Sequence, residues 1–240
     1  MSSWKYEATE TEREFAHSVL GFFTVTEKIM ANNINDRYVH ELESLESNYL
    51  RGSTIKYYDV YKKLALSLKY IYSVIGDDEE EESYKSIEKL PCVKPLEDWT
   101  KKWLNDGLFS EQLVAYVTIK WIFFGCSFAS MFWLNPMPGL GCKNQFICYD
   151  DDFHSDFLCI MFHHSAQSPP NHQQILDIVQ GAVDIEKSFL AQVFPTDTLD
   201  PMYEYVEFVA DNILMKFNMP KYYMTLNSVV DEDLYQFEDL

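Results

Sequence analysis

The chain has 240 residues, of which 47% are hydrophobic and 16% aromatic, and its formal net charge at pH 7 is -19. This apolar and aromatic content excludes an intrinsically disordered protein, and the length allows one large domain or two small ones, with a substantial core. The strongly acidic balance argues against nucleic acids and anionic membrane surfaces as natural partners, because both are themselves negatively charged.

Helical periodicity dominates the chain, and signals for β-hairpins are nearly absent, so the predicted fold class is all-α. The first helix is predicted to start at Thr9 or Thr11, either of which can cap it, and to continue towards Met30. The later helices are predicted over residues 36–75, 109–134, 145–164, 171–194 and 201–217. The acidic run at 76–83 is predicted to be a solvated loop. Two prolines in "LPCVKPLEDW" argue against a continuous helix there.

The most apolar run, "VTIKWIFFGCSFASMFW" at residues 117–133, contains Lys120 near its start. A lysine inside a buried helix is costly unless it is paired or neutralised, so an acidic partner is predicted. The uninterrupted apolar part, 121–134, is too short to span a bilayer. We therefore expect a buried helix without membrane association.

The cysteines and the N-terminus indicate a cytoplasmic protein. The five cysteines form no CxxC pair and no metal-type spacing with histidine, so they are predicted to be reduced, packed thiols. The first residues, "MSSWKYEATETEREF", are charged and lack the apolar segment of a signal peptide.

The densest group of potential metal ligands is "YDDDFHSDF", in which Asp151 and His154 stand three positions apart. That spacing places both side chains on one helical face. In an apolar helical bundle, an acid-x-x-His helix is half of what a di-iron carboxylate site requires. The alternative interpretation is an ordinary polar helix face.

Six separated segments together resemble the small, radical-bearing subunit of class I ribonucleotide reductase. Between Trp4 and about Lys221 they occur in the family's order, as "EREFAHSVLGFF", "IEKLPCVKPLEDW", "IFFGCSFASMFWLNPMPGL", "NQFICYDDDFHSDFLCIMFHH", "AVDIEKSFL" and "YVEFVADNIL". The resemblance implies a ferritin-like helical bundle over residues 1–221, followed by an acidic C-terminal tail over 222–240.

The same resemblance implies a degenerate metal site. The positions that correspond to the family's six metal ligands are Glu27, Tyr58, Tyr61, Lys120, Asp151 and His154. Two tyrosines and a lysine therefore replace ligands, and Ala65 occupies the position of the radical tyrosine. The resemblance thus implies that no metal cofactor is bound. It also implies Glu27 or Asp151 as the acidic partner of Lys120, an ammonium taking the electrostatic place of a metal ion.

Two further features follow from the resemblance. Trp4 and Asp150 match the family's electron relay, but the relay's neighbouring arginine is Tyr149 here, so we interpret both as vestigial and structural. The end of the chain is similar to the tail with which small subunits dock on the large subunit, the alternative being a plain disordered end. The predicted docking residues are Tyr235, Phe237, Glu238, Asp239 and Leu240.

The resemblance implies a noncatalytic partner in deoxyribonucleotide synthesis, bound to a reductase small subunit as a homodimer or heterodimer and possibly to the large subunit. One alternative is a metal-free radical subunit, which would need Tyr58 or Tyr61 to replace the radical tyrosine. Another is an unrelated interaction role on the retained fold.

Overall fold

The computed structural model describes residues 14, 15, 18, 19, 21–23, 25, 26, 89–134, 155–164, 168–194, 196 and 199–225. Among these residues no strand is present, which confirms the predicted all-α class. In chain order, the helices are α1 (the described positions from 14 to 26), α2 (Val93–Thr100), α3 (Phe109–Thr118), α4 (Gly125–Leu134), α5 (155–164), α6 (His172–Val193) and α7 (Leu199–Lys216).

The predicted helix over 109–134 has the predicted limits, but its middle is a π-helical segment, Ile119–Phe124, between α3 and α4. Three of its buried hydroxyl groups are satisfied within the helix. Thr118, Ser127 and Ser130 each donate to the carbonyl four residues earlier, at 2.8, 2.6 and 2.7 Å. Because these polar groups need no external partner, the helix can be enclosed by apolar neighbours.

α6 begins where the sequence predicted, after Asn171. The Asn171 side chain accepts from the backbone N–H of Gln174, and the Gln174 side chain accepts from the backbone N–H of Asn171, both at 2.9 Å. This reciprocal capping satisfies two backbone donors that the first turn of a helix leaves free. Gln174 also donates to Glu111 at 2.8 Å, which joins the start of α6 to the start of α3.

Only one of the two prolines in "LPCVKPLEDW" lies outside a helix. α2 begins at Val93, after Pro91, and includes Pro95 in its first turn. The first backbone N–H groups of a helix have no intrahelical acceptor, so a proline costs little there. The expected break therefore occurs at Pro91 alone, and α2 continues into a second π-helical segment, Lys101–Asn105.

Phe22 of α1 lies at the centre of an aromatic cluster. Its ring stacks on Phe189 of α6 at 4.2 Å between centroids and meets Phe123 of the π segment edge-on at 6.0 Å. Trp99 of α2 meets Phe123 edge-on at 5.9 Å. Four elements that are distant in sequence thus share one core.

The thiol prediction is confirmed for the three cysteines that the structure describes. Cys92, Cys126 and Cys159 are free and buried. Burial raises the pKa of Cys92 and of Cys159 to about 11, so both thiols are protonated at neutral pH. Within the described ranges, no helix combines the length and the apolar character needed to cross a membrane.

Replacement of Gly181 by alanine should destabilise the bundle. The Trp99 indole donates to the carbonyl of Ile178 at 3.0 Å, and an added Cβ at Gly181 would lie 2.9 Å from the Trp99 ring. We expect Gly181→Ala to lower the unfolding free energy by about 1–3 kcal/mol in urea titrations.

Gly125→Ala is the matched control, because the nearest atom to its added Cβ is a carbonyl oxygen at 3.7 Å. That variant should be neutral or slightly stabilising, since alanine is the better helix former. Equal stability of the two variants would contradict the close approach of Trp99.

Candidate functional site

Lys120 lies in the protein interior, as the apolar run predicted. Only 6% of its surface is exposed, and Ile119, Ile122 and Phe123 beside it are fully buried. It belongs to the π-helical segment Ile119–Phe124. π-helical segments within α-helices are frequent at functional sites, because they redirect side chains that a regular helix would orient otherwise.

The outer side of the π segment is held by a polar contact at Trp121. The Lys216 ammonium lies 4.9 Å from the centroid of the Trp121 ring and 2.5 Å from the Asp156 carboxylate. The carbonyl oxygen of Lys216 lies 3.0 Å from His163 Nε2. These contacts connect the π segment, α5 and α7, and they keep Trp121 at the periphery while Lys120 is inside.

Four contacts define the relative directions of the helices around Lys120. α3 and α6 run parallel. The Gln174–Glu111 hydrogen bond joins their starts, and further along Phe22 contacts both Phe123, after α3, and Phe189 of α6. α1 runs antiparallel to α6, since Phe15 meets Phe194 at 4.7 Å and Phe22 meets Phe189 at 4.2 Å. α1 is therefore antiparallel to the helix that contains Lys120.

The last described residue of α1, Thr26, lies near the level of Lys120. Phe23 contacts Phe124 at 4.8 Å, and from this contact α1 continues towards the level of Lys120, which precedes Phe124 by about one helical turn. Thr26 is 1% exposed, and its hydroxyl donates to the Phe22 carbonyl at 3.0 Å. The C-terminal end of described α1 thus approaches the buried lysine.

Lys120 is the one predicted site position among the residues that the structure describes. The other metal-site positions, Glu27, Tyr58, Tyr61, Asp151 and His154, lie outside them. Also outside are Ala65, the relay residues Trp4 and Asp150, and the tail residues Tyr235, Phe237, Glu238, Asp239 and Leu240. The pairing of Lys120 with Glu27 or Asp151 therefore stays a prediction.

The sequence analysis missed a second buried ionisable residue, Glu186 of α6. It is completely buried, and neither carboxyl oxygen has a hydrogen-bond partner in the described part of the chain. Burial raises the pKa of this carboxyl group well above its ordinary value. Among the described residues, the thiols of Cys92 and Cys126 lie near Glu186, and burial raises the pKa of both. A protonated, neutral Glu186 is the state that this environment favours.

The periodicity of α6 contained a signal for Glu186. The residue occupies an apolar stripe whose other members are Ile175, Ile178, Val179, Ala182, Val183, Phe189 and Leu190, all buried. A glutamate at helical spacing within such a stripe is either paired or neutral.

Comparisons with known proteins agree on one family. The family model described as "Ribonucleotide reductase, small chain" matches residues 1–228. The chain is 33% identical over 235 residues to the ribonucleoside-diphosphate reductase small chain of Yaba-like disease virus, covering 94% of this chain and 71% of the viral protein. It is 34% identical over 228 residues to subunit M2 of Danio rerio, covering 91% of this chain and 58% of that one.

Solved structures agree with this result. The ribonucleotide reductase Rnr4 homodimer from Saccharomyces cerevisiae matches with a TM-score of 0.79 and 25% identity, over 97% of this chain and 77% of that one. Dimanganese(II)-NrdF from Streptococcus sanguinis matches with a TM-score of 0.75 and 14% identity, over 95% of this chain and 83% of that one. The described helices thus form a ferritin-like bundle of the kind found in reductase small subunits.

Removal of the charge at Lys120 should destabilise the protein. If Lys120 neutralises Glu27 or Asp151, Lys120→Met leaves buried carboxylates unpaired, and the unfolding free energy should fall by about 3 kcal/mol. Lys120→Glu should be worse, because it adds a further carboxylate. Thermal and urea unfolding measure both effects.

Lys94→Met is the control for this experiment, because the Lys94 side chain is 72% exposed and its pairs with Glu97 and Asp98 are surface contacts. It should leave the unfolding free energy close to that of wild type, because exposed ion pairs contribute little to stability. Wild-type stability of both Lys120 variants would contradict the predicted buried ion pair.

Glu186→Gln should stabilise the protein more at high pH than at low pH. The raised pKa means that the folded state holds the Glu186 proton more tightly than the unfolded state does. The contribution of Glu186 to the wild-type unfolding free energy is therefore fully present below the unfolded-state pKa and is lost as pH rises through the folded-state pKa. Glutamine has no proton to lose, so the difference between variant and wild type should grow from pH 4.5 to pH 8.

Urea unfolding at several pH values measures this difference, and Glu97→Gln, at an exposed position of α2, controls for the loss of a carboxyl group. A difference between Glu186→Gln and wild type that does not change with pH would show that the pKa of Glu186 is the same in the folded and unfolded states, which contradicts the raised pKa.

Proposed function

Because the chain belongs to the family of ribonucleotide reductase small chains, we propose that it acts as a noncatalytic small subunit that assists or regulates a reductase. The observation that carries this proposal is the burial of Lys120 within the π segment. The family resemblance assigns this position to a metal-ligating glutamate. A buried ammonium at that position changes the sign of the charge in the candidate site.

The chemistry of Lys120 does not fit a di-iron centre. A protonated lysine has three N–H donors and no free electron pair, so it cannot coordinate a metal ion. Its positive charge also opposes the binding of divalent cations nearby, and the few solvent contacts of a side chain that is 6% exposed provide little screening. The tyrosines assigned by resemblance to two further ligand positions, Tyr58 and Tyr61, weaken the site further. We therefore assign no metal-dependent step to this chain.

An ion pair between Lys120 and the remaining acids would explain how the bundle tolerates the buried charge. α1 approaches the level of Lys120 at Thr26, and Glu27 follows Thr26 directly in the sequence. This arrangement supports Glu27 as a partner, and Asp151 is proposed as the second acid. An ammonium between carboxylates would replace the positive charge of a metal without binding one.

The first proposed partner is another small subunit. One structure similar to this chain, at a TM-score of 0.79, is that of the ribonucleotide reductase Rnr4 homodimer from Saccharomyces cerevisiae. We propose that this chain also forms a small-subunit dimer, either with itself or with an active small subunit. The large subunit is the proposed second partner, reached through the acidic C-terminal tail.

Purified protein should not retain stoichiometric iron or manganese. After reconstitution with ferrous iron and oxygen, elemental analysis should find far less than the about two metal ions per chain that a di-iron bundle holds. A metal-binding small subunit treated in parallel is the control. Recovery of about two ions per chain would overturn the noncatalytic proposal, and a tyrosyl radical signal in the metal-free protein would favour the radical-subunit alternative.

Deletion of Asp233–Leu240 should abolish binding to a large subunit in a pulldown without changing the thermal midpoint. The deleted segment is acidic and terminal, so it contributes little to a helical core. Phe237→Ala should weaken binding more than Glu238→Gln, because apolar anchors contribute most of the affinity and charges mainly steer the encounter. Full binding by the truncated chain would refute docking through the tail.

A further inference from the structure

The C-terminal end of the described chain is fastened to the bundle by one buried carboxylate. Asp211 of α7 is completely buried. Its Oδ1 accepts the backbone N–H groups of Tyr222 and Tyr223, at 2.8 and 2.9 Å, and its Oδ2 accepts that of Met224 at 2.8 Å. Three consecutive backbone donors on one carboxylate stabilise its charge and compensate for its burial.

The end of α7 returns the chain to Asp211. Asn218 has a φ of 58°, and its N–H donates to the carbonyl of Met215 at 3.0 Å. The N–H of Met219 donates to the carbonyl of Leu214, also at 3.0 Å. This is a Schellman arrangement with asparagine in the left-handed position, and it reverses the chain direction at the helix end. Residues 222–224 thereby pass beside the preceding turns of the same helix.

The conformation at Met224 indicates that the contact with Asp211 constrains the backbone. Met224 has a φ of 56°, which is unfavourable for a residue with a long side chain. Such conformations persist where the surrounding structure imposes them. At the same time the Met224 side chain is 74% exposed and that of Tyr222 is 53% exposed, so burial of these side chains is not what holds the segment.

Tyr223 provides a second attachment, to α6. The Lys187 ammonium lies 5.7 Å from the centroid of the Tyr223 ring and 5.3 Å from that of Tyr203. Lys187 also forms an ion pair with Glu207, which joins α6 to α7. Burial raises the pKa of the Tyr223 hydroxyl, so the phenol is neutral near pH 7. Residues 222–224 are thus held against both helices.

Beyond this attachment the sequence changes character. Residues 226–240 contain five acidic residues and no lysine or arginine, and they include the tail residues proposed to contact the large subunit. The attachment at Asp211 ends two residues before this acidic segment begins. The attached residues 222–224 therefore closely precede the acidic segment in the sequence.

We propose that Asp211 is a latch that fixes where the acidic C-terminal segment leaves the bundle, and that docking on a reductase large subunit depends on this latch. The inference rests on the proposed function of the tail and adds a positioning residue to it. When a folded surface and a tethered segment bind one partner together, the tether's starting point sets the effective concentration of the segment. A fixed starting point also removes part of the ordering cost of binding.

Hydrogen exchange of the full chain, without any partner, tests the latch itself. In wild type the amides of Tyr222, Tyr223 and Met224 should be protected. Asp211→Ala should accelerate exchange at all three, by about tenfold or more, because their acceptor is lost. Asp211→Asn keeps one oxygen acceptor, so it should accelerate exchange chiefly at one side of the carboxylate and leaves a testable variant if the alanine variant does not fold.

Asp177→Asn is the control for these variants, since it removes a negative charge from an exposed position. The Asp177 side chain accepts a hydrogen bond from Gln173, one turn away on α6. Exchange at 222–224 should match wild type in this variant. Unaltered protection of these amides in the Asp211 variants would overturn the latch.

Binding of the full chain to a purified large subunit tests the docking role. The Asp211 variants should bind about tenfold more weakly than wild type, while Asp177→Asn binds normally. The thermal midpoint of each variant, followed by exchange of the α6 amides, should match that of wild type. Unchanged affinity in a variant whose residues 222–224 exchange freely would overturn the docking role of Asp211.

A chain lacking residues 226–240 separates this proposal from the one on which it rests. If that deletion leaves binding unchanged, docking through the tail is wrong, and the docking role of the latch is wrong with it. If the deletion abolishes binding and Asp211→Asn does not weaken it, the tail proposal stands and the docking role of the latch is refuted.

Discussion

The cost of enclosing a charge in an apolar bundle is the constraint on which the rest of this structure depends. Lys120, Glu186 and Asp211 are buried in the described part of the chain, and each requires a different compensation. Asp211 stays satisfied through three backbone N–H groups. Glu186 has no such donors in the described chain, and its raised pKa favours the neutral acid. The Lys120 ammonium cannot coordinate a metal ion, and an unpaired buried charge is costly. Glu27 and Asp151 are therefore proposed as its partners.

This constraint separates the fold of the family from its metal chemistry. The described helices are held together by aromatic contacts centred on Phe22 and by hydrogen bonds between helix starts, such as Gln174–Glu111. None of these described contacts uses a metal ion. A bundle of this kind can therefore be retained while its ligand positions change, and the function must be argued from the site instead of from the fold.

Local sequence patterns predicted the helices well where the decisive interactions are local. The limits of the helix over 109–134 follow from an apolar run between breakers, and the start of α6 follows from the Asn171–Gln174 capping pair. The same patterns did not predict the π-helical segment at Ile119–Phe124 or the inclusion of Pro95 in α2. Both depend on small energy differences between helical states, which packing against other elements can outweigh.

By itself, the sequence determined the all-α class, the interior location of Lys120 and the family, because helical periodicity, an apolar run and six ordered motifs are all properties of neighbouring residues. Only the tertiary structure decided that Glu186 has no hydrogen-bond partner among the described residues and that Asp211 holds residues 222–224. The physical reason is that the state of a buried acid depends on the donors within hydrogen-bond distance. Those donors come from wherever the chain returns in space, eleven to thirteen positions later in the case of Asp211.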